Sequence, residues 1–209
     1  MVPHVRAREI ADKDHLERIS RQIRDLGIDE VFVIRGDGEK KGIYNNSSQI
    51  LVELAKAGIG LNKVGIAGYP EGIPGMTSEQ LLEGIRARSK IANEMGAQLY
   101  LVTQMCFDPD LISSYVRNLR QNGIDIPVTV GLPAPEKRGN LYETAVRCRV
   151  GNSKEKILED GRENEEFPPD KLVDDIAIAD SNGHILGYHI YSFNRVKRLR
   201  KWFDDLEKV

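Results

Sequence analysis

Cysteine is scarce in this sequence: two residues, Cys106 and Cys148, among 209, with no Cys-x-x-Cys and no histidine close by. Neither a disulfide framework nor a metal centre is supported, and both side chains read as buried thiols. An excess of charge of one sign is missing too. Thirty Lys+Arg stand against 32 Asp+Glu, for a formal net charge of -2. That removes wholesale electrostatic binding of nucleic acid, because counterion release needs a concentrated basic face. Long apolar stretches are absent: runs such as Val31 to Ile34 stop after about four residues, against the roughly 20 that a membrane span needs. The opening Met1-Val2-Pro3-His4-Val5-Arg6 lacks the basic-then-apolar layout of a signal peptide. The expectation is a cytoplasmic protein that works away from membranes.

What is present, 40% hydrophobic and 30% charged residues, suits one globular domain over residues 1–209. Leu16, Ile19, Ile23 and Leu26 recur at helical spacing, Gly27 follows as a C′ residue, and Val31-Phe32-Val33-Ile34 then reads as a buried strand. The unit returns with a helix over 48–57 and a strand over 64–67, then a helix over 81–95 and a strand over 99–103. A fourth helix carries Leu111, Ile112, Tyr115, Val116 and Leu119 before a strand over 126–130. Thr77 with Gln80 forms a capping box, and Asp108-Pro109 supplies an N-cap with proline at the first helical position. After Gly131 the pattern weakens through the charged stretch 154–170, read as a solvated helix and loop. It recovers in a helix over 172–179, a strand over 186–193 and a terminal helix striped by Val196, Leu199, Trp202, Phe203 and Leu206, with Asn194 as its cap.

Strands apolar on both faces that alternate with helices are parallel and covered by helices. Counting one at the extreme N-terminus that ends near His4, six can be placed, where a complete barrel has eight. His4, Arg35-Gly36-Asp37, Tyr69-Pro70-Glu71 and Gln104 fall just past successive strands, at the edge where ligands bind in doubly wound sheets and barrels alike.

The most specific stretch is Val64-Gly65-Ile66-Ala67-Gly68-Tyr69-Pro70-Glu71-Gly72-Ile73-Pro74. It resembles the AGYPEGHP signature of the methylenetetrahydrofolate reductase family. Five further features fall in that family's order: Pro3-His4, Arg35-Gly36-Asp37, Thr103-Gln104 leading to Phe107-Asp108, Gly131-Leu132-Pro133, and Tyr188 to Arg195, which is similar to a terminal HFYTLNR. The resemblance runs from residue 3 to about 207. It implies a (β/α)₈ TIM-type barrel, incomplete at its N-terminal end, that holds FAD at the C-terminal ends of its strands. The reaction implied passes a hydride from NADH or NADPH through the flavin to methylenetetrahydrofolate, in one-carbon metabolism and methionine biosynthesis.

Residue by residue, the resemblance implies that Asp37 stands beside flavin and pterin as the catalytic carboxylate. His4, Arg35, Gly36 and Tyr69 contact the flavin, and Tyr44-Asn45 the adenosine side. Lys90 matches a cofactor-binding lysine when the register is shifted. Gln104 faces the folate, where an amide can donate and accept at once, and Arg195 lies near its p-aminobenzoylglutamate part. Ile73 replaces the histidine of the signature. The family's first two βα units, with the glutamate that serves as general acid, have no counterpart, which leaves two unpaired parallel edges for a second copy or a partner chain to cover. The alternative reading is a non-catalytic folate- or flavin-binding module that takes the missing strands and general acid from another chain.

Overall fold

A computed structural model describes residues 2–36, 39–159, 161–180 and 183–206. The elements in chain order are β1 (His4–Arg6), α1 (Lys13–Asp25), β2 (Glu30–Ile34), α2 (Ser47–Lys56), β3 (Lys63–Gly68), α3 (Ser78–Glu94), β4 (Gln98–Thr103) and α4 (Pro109–Gln121). There follow β5 (Val128–Pro133), β6 (Glu136–Lys137), α5 (Arg138–Arg147), α6 (Lys156–Glu159), β7 (Glu166–Phe167), α7 (Pro169–Ala179), β8 (Gly187–Tyr191) and α8 (Val196–Leu206). Strands and helices alternate through a six-stranded sheet of order β1-β2-β3-β4-β5-β8. β1 runs parallel to β2, β2 to β3, and β5 to β8. This is the α/β succession of a TIM-type barrel with six strands in place of eight. No helix among the described residues is long and apolar enough to cross a membrane.

The chain divides into two compact units. The first comprises Met1–Gly68, Gly72–Leu101 and Ile124–Pro127; the second comprises Tyr69–Glu71, Val102–Gly123 and Val128–Val209. In the first, Val31, Val33, Val64, Ile66 and Leu101 project from one face of the strands and are buried, as are Leu16 and Ile23 of α1, Ile50, Leu51 and Leu54 of α2 and Leu82 and Ile85 of α3. The expected caps are present: Gly27 takes φ +62°, and Thr77 and Gln80 close a reciprocal capping box on α3. On the opposite strand face, Gly65 is obligatory. A Cβ there would stand 2.2 Å from Phe32 Cδ2 and 2.5 Å from Tyr100 Cζ.

The second unit centres on Met105, Phe107, Ile112, Val130, Leu132, Leu141, Ile157, Phe167 and Ile176. Asp108 caps α4, its side chain accepting from the N–H groups of Asp110 and Leu111, with Pro109 opening the helix.

Several boundaries differ from the sequence reading. β1 begins at His4 instead of ending there, with its register set by His4 opposite Phe32 and Arg6 opposite Ile34. β5 starts at Val128, because Pro127 has no N–H to give a ladder, and it runs on through Gly131 to Pro133. The stretch 154–170 is not merely solvated: Ile157 and Phe167 are buried in it, and β6 pairs antiparallel with β7. Asn194 does not cap α8; it sits at φ +64°, outside the extended conformation that an N-cap takes, and Arg195 comes between it and the helix.

Candidate functional site

In the first unit the segment after β2 is zipped onto the segment after β1. Arg8 N–H donates to Arg35 C=O at 3.0 Å, Lys41 N–H to Arg8 C=O at 2.8 Å and Ile43 N–H to Ala11 C=O at 3.2 Å. Gly42 permits this approach, since a Cβ on it would lie 2.1 Å from the Ala11 carbonyl oxygen. Gly36 takes φ +84°, and its missing Cβ would stand 3.5 Å from Cβ of Arg6. Arg6, Arg8 and Arg35 are therefore brought together by local backbone pairing. Asp37 lies outside the described residues.

His4 packs its ring on Phe32, with centroids 4.9 Å apart. Burial of the ring and then the nearby Arg6 charge hold its pKa below the ordinary histidine value, so the imidazole is neutral at pH 7 and can donate from one nitrogen and accept at the other. A cavity of about 340 Å³ beside β1 is lined by His4, Glu9 and His15 and by Ile19, Ile23 and Leu26 of α1.

The amino terminus of α2 is the most developed polar feature of this unit. Asn46 caps it, accepting from Gln49 N–H at 3.1 Å, while Gln49 Oε1 accepts from Asn45 N–H at 2.6 Å. Arg88 of α3 donates from Nη1 to the hydroxyl of Ser47, the first helical residue, at 3.1 Å. A helix N-terminus with a half-buried guanidinium beside it suits phosphate oxygens, by main-chain N–H groups, dipole and charge together. These groups fit the diphosphate of a dinucleotide.

Lys90, matched by resemblance to a cofactor-binding lysine, is exposed, and it is Arg88 that contacts Ser47. Tyr44 is buried at 5% exposure and Asn45 is exposed. The Tyr44 hydroxyl has no hydrogen-bond partner among the described residues, and burial, followed by the charge of Glu53, raises its pKa. The Tyr44 ring is thus part of the core, and Asn45 is the member of the pair open to a ligand.

In the second unit Tyr69 is half-buried, and Glu71 anchors the segment after α5. Its carboxylate accepts from the Ser153 hydroxyl at 2.6 Å and from Ser153 N–H at 2.9 Å; the same hydroxyl oxygen accepts from Phe107 N–H at 3.0 Å. Gln104 donates from Nε2 to the Cys148 carbonyl at 2.6 Å, which fixes the amide and leaves its oxygen as an acceptor. The Thr103 hydroxyl accepts from Gly131 N–H at 2.9 Å, and the Tyr191 hydroxyl donates to Thr103 C=O at 3.0 Å.

Arg195, part-exposed, is ion-paired with Glu136, which is 2% exposed. Arg198 adds a second guanidinium at 2.7 Å, and Asn140 donates to the same carboxylate at 3.0 Å. Neither Glu136 nor Arg88 is singled out by the sequence reading, because a side-chain contact with a residue distant in the chain leaves no periodic pattern. No cluster of three or more His, Cys, Asp or Glu that could hold a metal occurs among the described residues.

Parallel strands alternating with helices define an α/β protein of the TIM-barrel class. More specifically, the chain belongs to the methylenetetrahydrofolate reductase family, whose model matches residues 2–206. It is 28% identical over 143 residues to methylenetetrahydrofolate reductase (NADH) 1 of Arabidopsis thaliana, a match covering 61% of this chain and 24% of that protein. The match thus spans about a quarter of that curated relative. Among solved structures, endonuclease IV from Thermus thermophilus aligns with a TM-score of 0.37 at 15% identity, covering 89% of this chain and 74% of that one.

Proposed function

We propose that this chain is a flavin-dependent reductase of the methylenetetrahydrofolate reductase type, or the ligand-bearing part of one, using FAD, electrons from NADH or NADPH, and 5,10-methylenetetrahydrofolate as substrate. The observation that carries this reading is the α2 amino terminus with Ser47 and Arg88, in a chain that the family's model covers from residue 2 to 206. FAD, when bound, supplies the hydride-transfer chemistry. Asn45, Ser47 and Arg88 would hold its diphosphate, with Arg35 as a further cation and the neutral His4 imidazole and Tyr69 on the flavin. Gln104 offers the pterin its carbonyl oxygen, and Asp37 is the carboxylate assigned to pterin and flavin together. Arg195 is assigned to the substrate's glutamate part, with its Nη1 held by Glu136.

A second reading is favoured by the six strands where eight are needed: a folate- or flavin-binding module completed by another chain. Flavin absorbance of the purified protein, followed by FAD titration and anaerobic bleaching with NADH, tests both. Binding, bleaching and reoxidation by methylenetetrahydrofolate support the reductase; binding of FAD or of the folate without turnover supports the module; binding of neither at micromolar concentration overturns both. Arg88→Ala should weaken FAD binding by about 10- to 100-fold, the worth of a hydrogen bond to a charged group, while Lys90→Ala leaves it unchanged.

A further inference from the structure

Helix α8 has no buried residue, yet it carries a strong apolar stripe. Val196, Leu199, Phe203 and Leu206 recur at spacings of three, four and three, the seam pattern of a two-helix pair. Val196 is 64% exposed, and Phe203 and Leu206 are each 45% exposed. The helix is already fixed along one flank, by Arg198 on Glu136 and by Trp202, whose indole N–H donates to Asp170 at 2.7 Å. At 100° per residue, Val196 and Phe203 lie on the other flank, and Arg200 and Asp204 border them there.

The charges of α8 run against its dipole. Lys197, Arg198, Arg200 and Lys201 occupy the amino-terminal part and Asp204 and Asp205 the carboxyl-terminal part, with no acid in the first turn and no base in the last. A helix macrodipole favours the reverse order. An antiparallel neighbour of the same sequence compensates it, because its acidic end then lies beside this helix's basic end.

We propose that α8 is a homodimer seam, in which two copies of this chain pair their α8 helices antiparallel about a twofold axis. Stacking Val196 against Leu206 and Leu199 against Phe203 of the second copy puts Arg200 of each helix next to Asp204 of the other. Twofold symmetry makes that ion pair twice. The seam is about 16 Å long, so it makes a concentration-dependent dimer instead of an obligate one.

Sedimentation equilibrium of the full chain from about 1 to 100 µM tests this, with circular dichroism as the check on folding. A dimer should form within that range, and Phe203→Glu should abolish it without loss of helix signal, since Phe203 is outside the core. Arg200→Asp and Asp204→Arg should each raise the dissociation constant by about tenfold, and the double reversal R200D/D204R should restore it to within about threefold of the original. A chain that stays monomeric at 100 µM, a dimer indifferent to Phe203→Glu, or a double reversal no tighter than the single ones would overturn the proposal.

Discussion

Glu71 shows how a motif residue can be structural at close range. Both oxygens of its carboxylate are used on Ser153, which in turn holds Phe107 N–H. Glu71→Ala leaves the hydroxyl and N–H of a 3%-exposed serine without their acceptor, at a cost of about 1–3 kcal/mol. For a chain of this size that lowers the thermal midpoint by about 2–4 °C per kcal/mol, readable by calorimetry. At the other motif end, His4 carries a pH signature. Its folded pKa lies below the unfolded one, so the unfolded state takes up the proton first and stability falls as pH drops through the ordinary histidine value near 6.5. Above that value the contribution is flat. His4→Gln should flatten the slope between about pH 7 and 5.5 in denaturant titrations; an unchanged slope would remove His4 as its source. Cys106 behaves differently again: burial pushes its thiol up to about 11, so in the native protein a thiol reagent at pH 8 should label the half-buried Cys148 and spare Cys106 until denaturant is added.

At the scale of elements, two strand glycines, Gly65 of the signature stretch and Gly131 of β5, are explained by packing. Gly65 lets Phe32 and Tyr100 close over β3, and Gly131 lets Tyr191 and the Thr103 carbonyl approach β5, where a Cβ would lie 2.5 Å and 2.2 Å from them. Gly65→Ala therefore overpacks the inner strand face and should cost about 1–3 kcal/mol in denaturant unfolding, although alanine is otherwise compatible with a strand. The elements legible in the sequence were those with a period: the helices before β2 to β5 announced themselves by apolar spacing, capping residues and terminal glycines. α5 did not, because its buried positions include Arg138 and Thr144, and β6, β7 and α6 are too short for any period to show. The candidate site followed the same rule. His4, Arg35 and Gln104 were legible as candidates because each sits at or next to a strand end. Arg88 and Glu136 were missed because their meaning lies in partners 41 and 62 residues away.

For the whole molecule, the buried carboxylate of Glu136 links the terminal segment to the rest of the second unit through two arginines. Removing the charge of Glu136 takes the shared counter-charge from Arg195 and Arg198 at once, so Glu136→Gln should loosen α8 more than the loss of any single apolar contact on its surface. Because α8 buries no residue of its own, the helix is held by a few side-chain anchors and not by the core. It should therefore be the first segment to exchange its hydrogens for deuterium, with an opening free energy well below that of β5 or α4. A monomer and a paired state would then differ in time as well as in mass. Dilution should quicken exchange over residues 196–206 while leaving the central strands on the same clock.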